Sequence, residues 1–283
     1  MSELAPFADA FTPAQVAKKV KTLGVSKANM PFLPLLILSM MAGAFISFGA
    51  MYYTVAMTHP AEAYGAAKLL GGLAFSLGFV LVVIVGGELF TGNNLIVLAW
   101  ANGKISLRQL LRNWGLVYVG NALGALITVY LVFASGFLDG GHHAFGATAI
   151  NLALAKVDIT STEAFVRGIF CNALVCLASW MVYASRTVTD KVFAVIFPIS
   201  AFVAMGFEHC IANIFMIPLG IVASLDPHAV ALTGLSPDAF ANLNLSGFLE
   251  KLIPVTLGNI FGGSVMVGMS LYIVYLYDRK DEK

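Results

Sequence analysis

The sequence predicts an all-α integral membrane protein of six transmembrane helices, built as two inverted three-helix repeats whose second and fifth helices are broken. Three observations lead there: the apolar composition, the length of the uncharged stretches, and a pair of glutamate-bearing interruptions at a fixed spacing. Of 283 residues, 59% are hydrophobic and 11% are charged, against roughly 25% charged in an ordinary soluble domain. A soluble fold could not hide that much apolar surface. Between Arg112 and Asp139 lie 26 uncharged residues, and another 26 lie between Lys251 and Asp278, where about 20 are enough to cross a bilayer. A net charge of +1 lacks the concentrated basic face that nucleic acid requires.

Residues 1–30 contain Lys18, Lys19, Lys21 and Lys27 but no apolar core followed by a small-residue cleavage site. They read as a cytoplasmic amphipathic lead-in, not a secretory signal. The transmembrane domain is predicted over 31–277 and a cytoplasmic tail over 278–283. Within the domain, spans fall near Phe32–Met57, Leu69–Ala101, Asn113–Leu138, Gly168–Ser185, Val192–Leu225 and Leu252–Tyr277. Twelve of the sixteen basic residues then share one side: the four lysines of the lead-in, Lys104, Arg108, Arg112, Arg186, Lys191, Arg279, Lys280 and Lys283. By the positive-inside rule both termini are expected in the cytoplasm, with the chain in the cytoplasmic (inner) membrane.

Spans two and five are too long for one untilted crossing, with 35 residues between Lys68 and Lys104 and 34 between Lys191 and Asp226. The second holds Val85-Gly86-Gly87-Glu88-Leu89-Phe90-Thr91-Gly92-Asn93-Asn94, and the fifth holds Met205-Gly206-Phe207-Glu208-His209-Cys210-Ile211-Ala212-Asn213. Glycines release backbone from helical geometry. Irregular backbone at membrane depth survives only where it lines a cavity or is buried in protein, so paired breaks point to a pore or carrier site. Glu88 and Glu208 lie 120 positions apart, as do Asn93 and Asn213. Gly120-Asn121-Ala122-Leu123-Gly124 further matches Gly258-Asn259-Ile260-Phe261-Gly262, and Gly43-Ala44-Phe45 is aligned with Gly168-Ile169-Phe170. Three helices per half is an odd number, which inverts the second half in the membrane.

Among polar residues His209 stands out, because an ionisable group at membrane depth is costly and an imidazole can hold or donate a proton near physiological pH. Thr91 offers a hydroxyl to an anion or to His209. Glu88 and Glu208, with Asn93 and Asn213, read as structural polar groups that satisfy freed backbone or pair with buried partners. Asn121 and Asn259 can bond across helices, where packing and a substrate role are equally open, and Asn259 and Asn172 are expected on the substrate pathway with His209 and Thr91. Phe75, Phe79, Phe90 and Phe202 are candidate gates. Lys156 reads either as an attractor of anions at the outer mouth or as an exposed loop lysine. His142 and His143 lack a nearby cysteine or paired carboxylate and read as surface histidines, so no metal is expected. Cys171, Cys176 and Cys210 have neither zinc-ligand nor disulfide spacing and read as core thiols. No cofactor motif is visible. An enzyme using His209 and Glu208 as acid and base would need a nucleophile or metal beside them. A water or glycerol pore would carry paired Asn-Pro-Ala motifs, which this sequence lacks.

The runs Gly87 to Asn94, Gly206 to Asn213 with Phe215-Met216-Ile217-Pro218 after it, and Ile253-Pro254-Val255-Thr256-Leu257-Gly258-Asn259 resemble the formate/nitrite transporter family. The resemblance extends from about Met30 to Tyr277. It implies an aquaporin-like protomer, a homopentamer with a pore in each protomer, and passage of a small monovalent anion across the lipid bilayer. It also implies a central His209 and Thr91, constrictions at Phe75, Phe90 and Phe202, and Asn259 near the histidine. The formate branch matches best, through Asn172, Phe202 and Met216-Ile217-Pro218. Phe79 replaces the usual leucine of formate channels, and Gly92-Asn93-Asn94 lies closer to the nitrite branch. Nitrite, hydrosulfide and lactate are therefore the alternative anions.

Overall fold

In a computed structural model, described here for residues 9–58 and 63–277, these residues are helical or irregular and contain no strand. Lead-in residues 1–8 and the tail 278–283, with Arg279, Lys280 and Lys283, lie outside the described residues. The helices are α1 (Pro13–Ala28), α2 (Phe32–Met57), α3 (Tyr64–Leu81), α4 (Val97–Ala101), α5 (Leu107–Ala134), α6 (Ala144–Val157) and α7 (Ser161–Ala184). They continue as α8 (Val188–Ala204), α9 (Cys210–Ala223), α10 (Pro227–Thr233), α11 (Leu245–Ile260) and α12 (Ser270–Tyr275).

Five stretches are long and apolar enough to cross alone: Phe32–Met57, Tyr64–Gly86, Leu107–Ala134, Ser161–Ala184 and Leu245–Tyr275. The remaining crossing is composite. Its halves are the 17-residue α8 and the 14-residue α9, about 25 and 21 Å long at 1.5 Å per residue, so neither spans a bilayer core of about 30 Å by itself. Exposed Leu69, Leu70, Leu131, Phe193, Phe197 and Ile253 cover the outside. Such an apolar belt is stable only against lipid or another protein.

Three helix starts differ from the hydropathic boundaries for one physical reason. Thr160 and Glu163, and Thr187 and Asp190, form reciprocal capping boxes that begin α7 and α8, and Ser106 with Gln109 does so for α5. Each helix therefore opens several residues before its apolar run, carrying charged side chains such as Arg108, Arg167 and Lys191 in its first turns. In the last crossing, the backbone from Phe261 to Met269 is π-helical, a distortion the apolar pattern does not signal.

The two halves pack alike. A side chain on Gly124 would run into the carbonyl of Met40, and one on Gly262 into the carbonyl of Ile169, so both sites demand glycine for close helix approach. These partners correct the first-span alignment. Met40 corresponds to Ile169 and Ser39 to Gly168, one helical turn away from the match of Gly43 with Gly168. Glycines one turn apart present the same helix face, so sequence alone does not separate the two registers.

Candidate functional site

Each break opens on a glycine in the left-handed region, Gly86 at φ 98° and Gly206 at φ 72°. A side chain would strain the backbone at either position. The released peptide groups are recaptured by one buried amide per half. Asn121 donates to the carbonyls of Ser39 (2.7 Å) and Glu88 (2.8 Å) and accepts from the Phe90 amide (2.9 Å). Asn259 donates to Gly168 (2.8 Å) and Glu208 (2.9 Å) and accepts from the Cys210 amide (2.9 Å). Asn259 thus has its amide committed to protein, beside His209 in the chain fold but lining neither of the cavities described below. Asn172 is equally engaged, donating to Asn94 Oδ1 (2.7 Å) and the Asn259 carbonyl (2.6 Å).

Glu88 and Glu208 are 4% and 3% exposed. Each accepts a 2.7 Å bond from the amide five residues on, Asn93 or Asn213. Each also meets a lysine: Lys27 Nζ lies 2.8 Å from Glu88, and Lys156 Nζ lies 3.0 Å from Glu208. A buried carboxylate is tolerated when a cation and further hydrogen bonds surround it. Lys156 is consequently no loop lysine; it ends α6 with its side chain 14% exposed. Lys27, grouped by sequence with the lead-in charges, is its repeat counterpart. The available signal was spacing, since Lys27 precedes Ser39 by the same 12 positions that separate Lys156 from Gly168.

Two cavities flank the breaks. One, about 310 Å³, is lined by Lys19, Lys27, Lys191, Glu88, Phe79 and Leu89. The other, about 370 Å³, is lined by Lys68, Lys156, Arg167 and Glu208 together with His209, Phe75 and Phe202. Each holds three cationic side chains to one carboxylate. Phe75 and Phe202 meet edge to face at 5.8 Å, and Phe202 stacks on the His209 ring at 6.0 Å. Phe90 lines neither cavity, because its ring packs edge-on against Tyr118 (4.9 Å) and Trp114 (6.3 Å).

Between the cavities stands His209. Its Nδ1 accepts from the Ala212 amide at 3.1 Å, capping α9, and its Nε2 lies 2.9 Å from Thr91 Oγ1. The cap fixes the tautomer. With Nδ1 accepting, neutral His209 carries its proton on Nε2 and donates it to Thr91, whose own hydroxyl proton is left free to turn elsewhere. Thr91 is completely buried and adjoins Gly92 on the wall of the Lys27 cavity, while His209 faces the Lys156 cavity. The pair is therefore the partition, with hydrogen-bond donors where two cation-lined cavities approach.

Inverted repeats, broken helices meeting at a buried histidine, and an apolar exterior define a multi-pass membrane transport protein. The formate/nitrite transporter sequence profile matches residues 14–273. Over 278 residues, 97% of each chain, this protein is 43% identical to formate channel FocA of Escherichia coli K12. It is also 43% identical to FocA of Haemophilus influenzae, covering 92% of this chain and 93% of that one. A solved pentameric formate channel with formate bound superposes with a TM-score of 0.81 at 44% identity, covering 87% of this chain and 98% of that chain. The protein belongs to the formate/nitrite transporter family.

Proposed function

We propose that this protein passes formate across the cytoplasmic membrane, one pathway per chain in a homopentamer, with both termini in the cytoplasm and no enzymatic step. The observation that carries the reading is the Thr91–His209 donor pair between two cavities that each present three cations. A bare anion in a low-dielectric constriction costs several kcal/mol. The cations raise anion concentration in the cavities, and the pair replaces water at the narrowest point. The substrate is suggested by relatives that are formate channels, and the pentamer by the solved relative's assembly. The lysine and arginine distribution supports the orientation, placing the Lys27 cavity inside and the Lys156 cavity outside.

The Nδ1 cap favours a hydrogen-bonding role for His209 over full proton transfer, because an imidazolium would turn a second N–H toward the Ala212 N–H. Asparagine can both cap a helix and donate a hydrogen bond. Formate flux into liposomes containing only this protein should therefore vanish in His209→Phe and persist at reduced rate in His209→Asn. Flux undiminished by the phenylalanine would remove His209 from the pathway. Competition by nitrite, lactate and hydrosulfide in the same vesicles ranks the anions, and a preference for any of them over formate would reassign the substrate.

A further inference from the structure

At the end of the α6/α9 pair remote from Lys156 and Glu208, the chain gathers a second set of titratable groups. His143 N-caps α6, and Asp226 N-caps α10 just past α9. His143 Nδ1 lies 2.7 Å from Asp226 Oδ2 and 3.7 Å from Asp139 Oδ1. One donor atom from each of these three residues falls within 4.8 Å of the others. The imidazole of His228 lies beside that of His143, with centroids 5.0 Å apart and planes 33° from parallel. Reading the sequence, the histidine pair had no carboxylate partner; folding supplies one from 83 positions away and a second imidazole with it.

From this convergence we propose a divalent transition-metal site, of the zinc class, formed by His143, Asp139 and Asp226, with water completing the tetrahedron. The donor set suits zinc: imidazole nitrogen and carboxylate oxygen bind at about 2.0–2.2 Å in a tetrahedron, which sets donor atoms about 3.4 Å apart. The His143–Asp139 separation of 3.7 Å is near that value. The His143–Asp226 separation is shorter because a proton now lies between them, and a metal ion takes that proton's place. Burial opposes ionisation of Asp226, but bonds from the His228 amide and from His143 outweigh it and hold the carboxyl below its ordinary range. His143 adopts φ 67°, a left-handed conformation uncommon outside glycine, which fixes where its ring emerges. The ion would clasp the start of α6 to the turn between α9 and α10, at the far end of the helices whose other ends hold Lys156 and His209. Binding displaces the proton that lies between His143 and Asp226.

The test uses full-length protein with any polyhistidine tag removed, titrated calorimetrically with Zn²⁺ at pH 7.5, and with Co²⁺ followed by its visible absorption. One ion per chain is expected, with the intense bands of tetrahedral cobalt. Asp226→Asn and His143→Ala should each weaken Zn²⁺ binding at least tenfold, whereas His142→Ala should leave it within twofold. Asp139→Asn, at an exposed position, gives a variant whose folding is not at stake and should weaken binding by a similar factor. The proposal is overturned by absent binding, by octahedral cobalt bands, or by affinity that follows His142 instead of His143. Formate flux of the wild type in zinc-free buffer is measured in parallel. Its loss would count against the proposed transport, and leaves the metal readout independent.

Discussion

The two lysine–glutamate–asparagine groups share one design and differ in closure. At the first, Lys27 Nζ reaches Asn93 Oδ1 (2.9 Å) as well as Glu88, Asn93 donates to Asn113 (3.0 Å), and Asn113 returns to the Lys27 carbonyl (3.0 Å). Trp114 adds a bond to the Asn93 carbonyl. At the second, Lys156 meets Glu208 with two contacts of 3.2 and 3.0 Å, and Asn213 Oδ1, buried, has no protein partner among the described residues. The first is a ring that locks α1 onto the broken helix. The second is an open chain whose lysine keeps N–H capacity toward the cavity. The repeat thus holds two copies of a polar brace, one closed into a ring and one left open.

The largest expected effect concerns that closure. Lys27→Met strands a buried carboxylate and an amide oxygen together and should cost about 3–5 kcal/mol. Lys156→Met, which strands the carboxylate alone, should cost about 1–2 kcal/mol less. Unfolding of the two variants in one detergent measures the gap, and equal losses would break the comparison. Next come the backbone amides, where the halves match bond for bond. Asn121→Ala and Asn259→Ala each remove three buried hydrogen bonds, a loss of about 3 kcal/mol at roughly 1 kcal/mol per bond. Closely similar values would show that the asymmetry belongs to the lysine groups and not to the whole repeat. Smaller again is Asn93→Leu against Asn213→Leu. The former should be more destabilising by about 1–2 kcal/mol, since Asn213 already has an unmatched acceptor. The smallest effect belongs to Lys68→Gln, a wall residue of the Lys156 cavity. It should lower formate flux a few-fold at about 10 mM salt and hardly at all at about 1 M, where the Debye length falls to about 3 Å; a loss independent of salt would assign Lys68 a packing role.

Several features were legible in the chain because they are local or periodic. The bounds of α2 coincide with the apolar run from Phe32 to Met57, since lipid exposure leaves hydropathy as the dominant signal. The breaks were visible in glycines beside glutamates, and the inversion in an odd helix count repeated twice. Helix starts at Leu107, Ser161 and Val188 escaped because capping boxes, not apolarity, set them. The edge-on packing of Phe90 against Trp114 and Tyr118 likewise has no signal in composition.

By itself the sequence determined membrane residence, the paired breaks and the residue types they contain, because solvent partitioning, glycine freedom and repeat spacing act along the chain. Tertiary structure alone decided which lysine meets which glutamate, that Asn259 and Asn172 give their amides to backbone, that His209 spends Nδ1 on the α9 cap, and that His143 finds Asp226. Those choices depend on approach between segments tens of residues apart, where an ångström of separation decides whether a hydrogen bond exists. Linear order carries no measure of that distance.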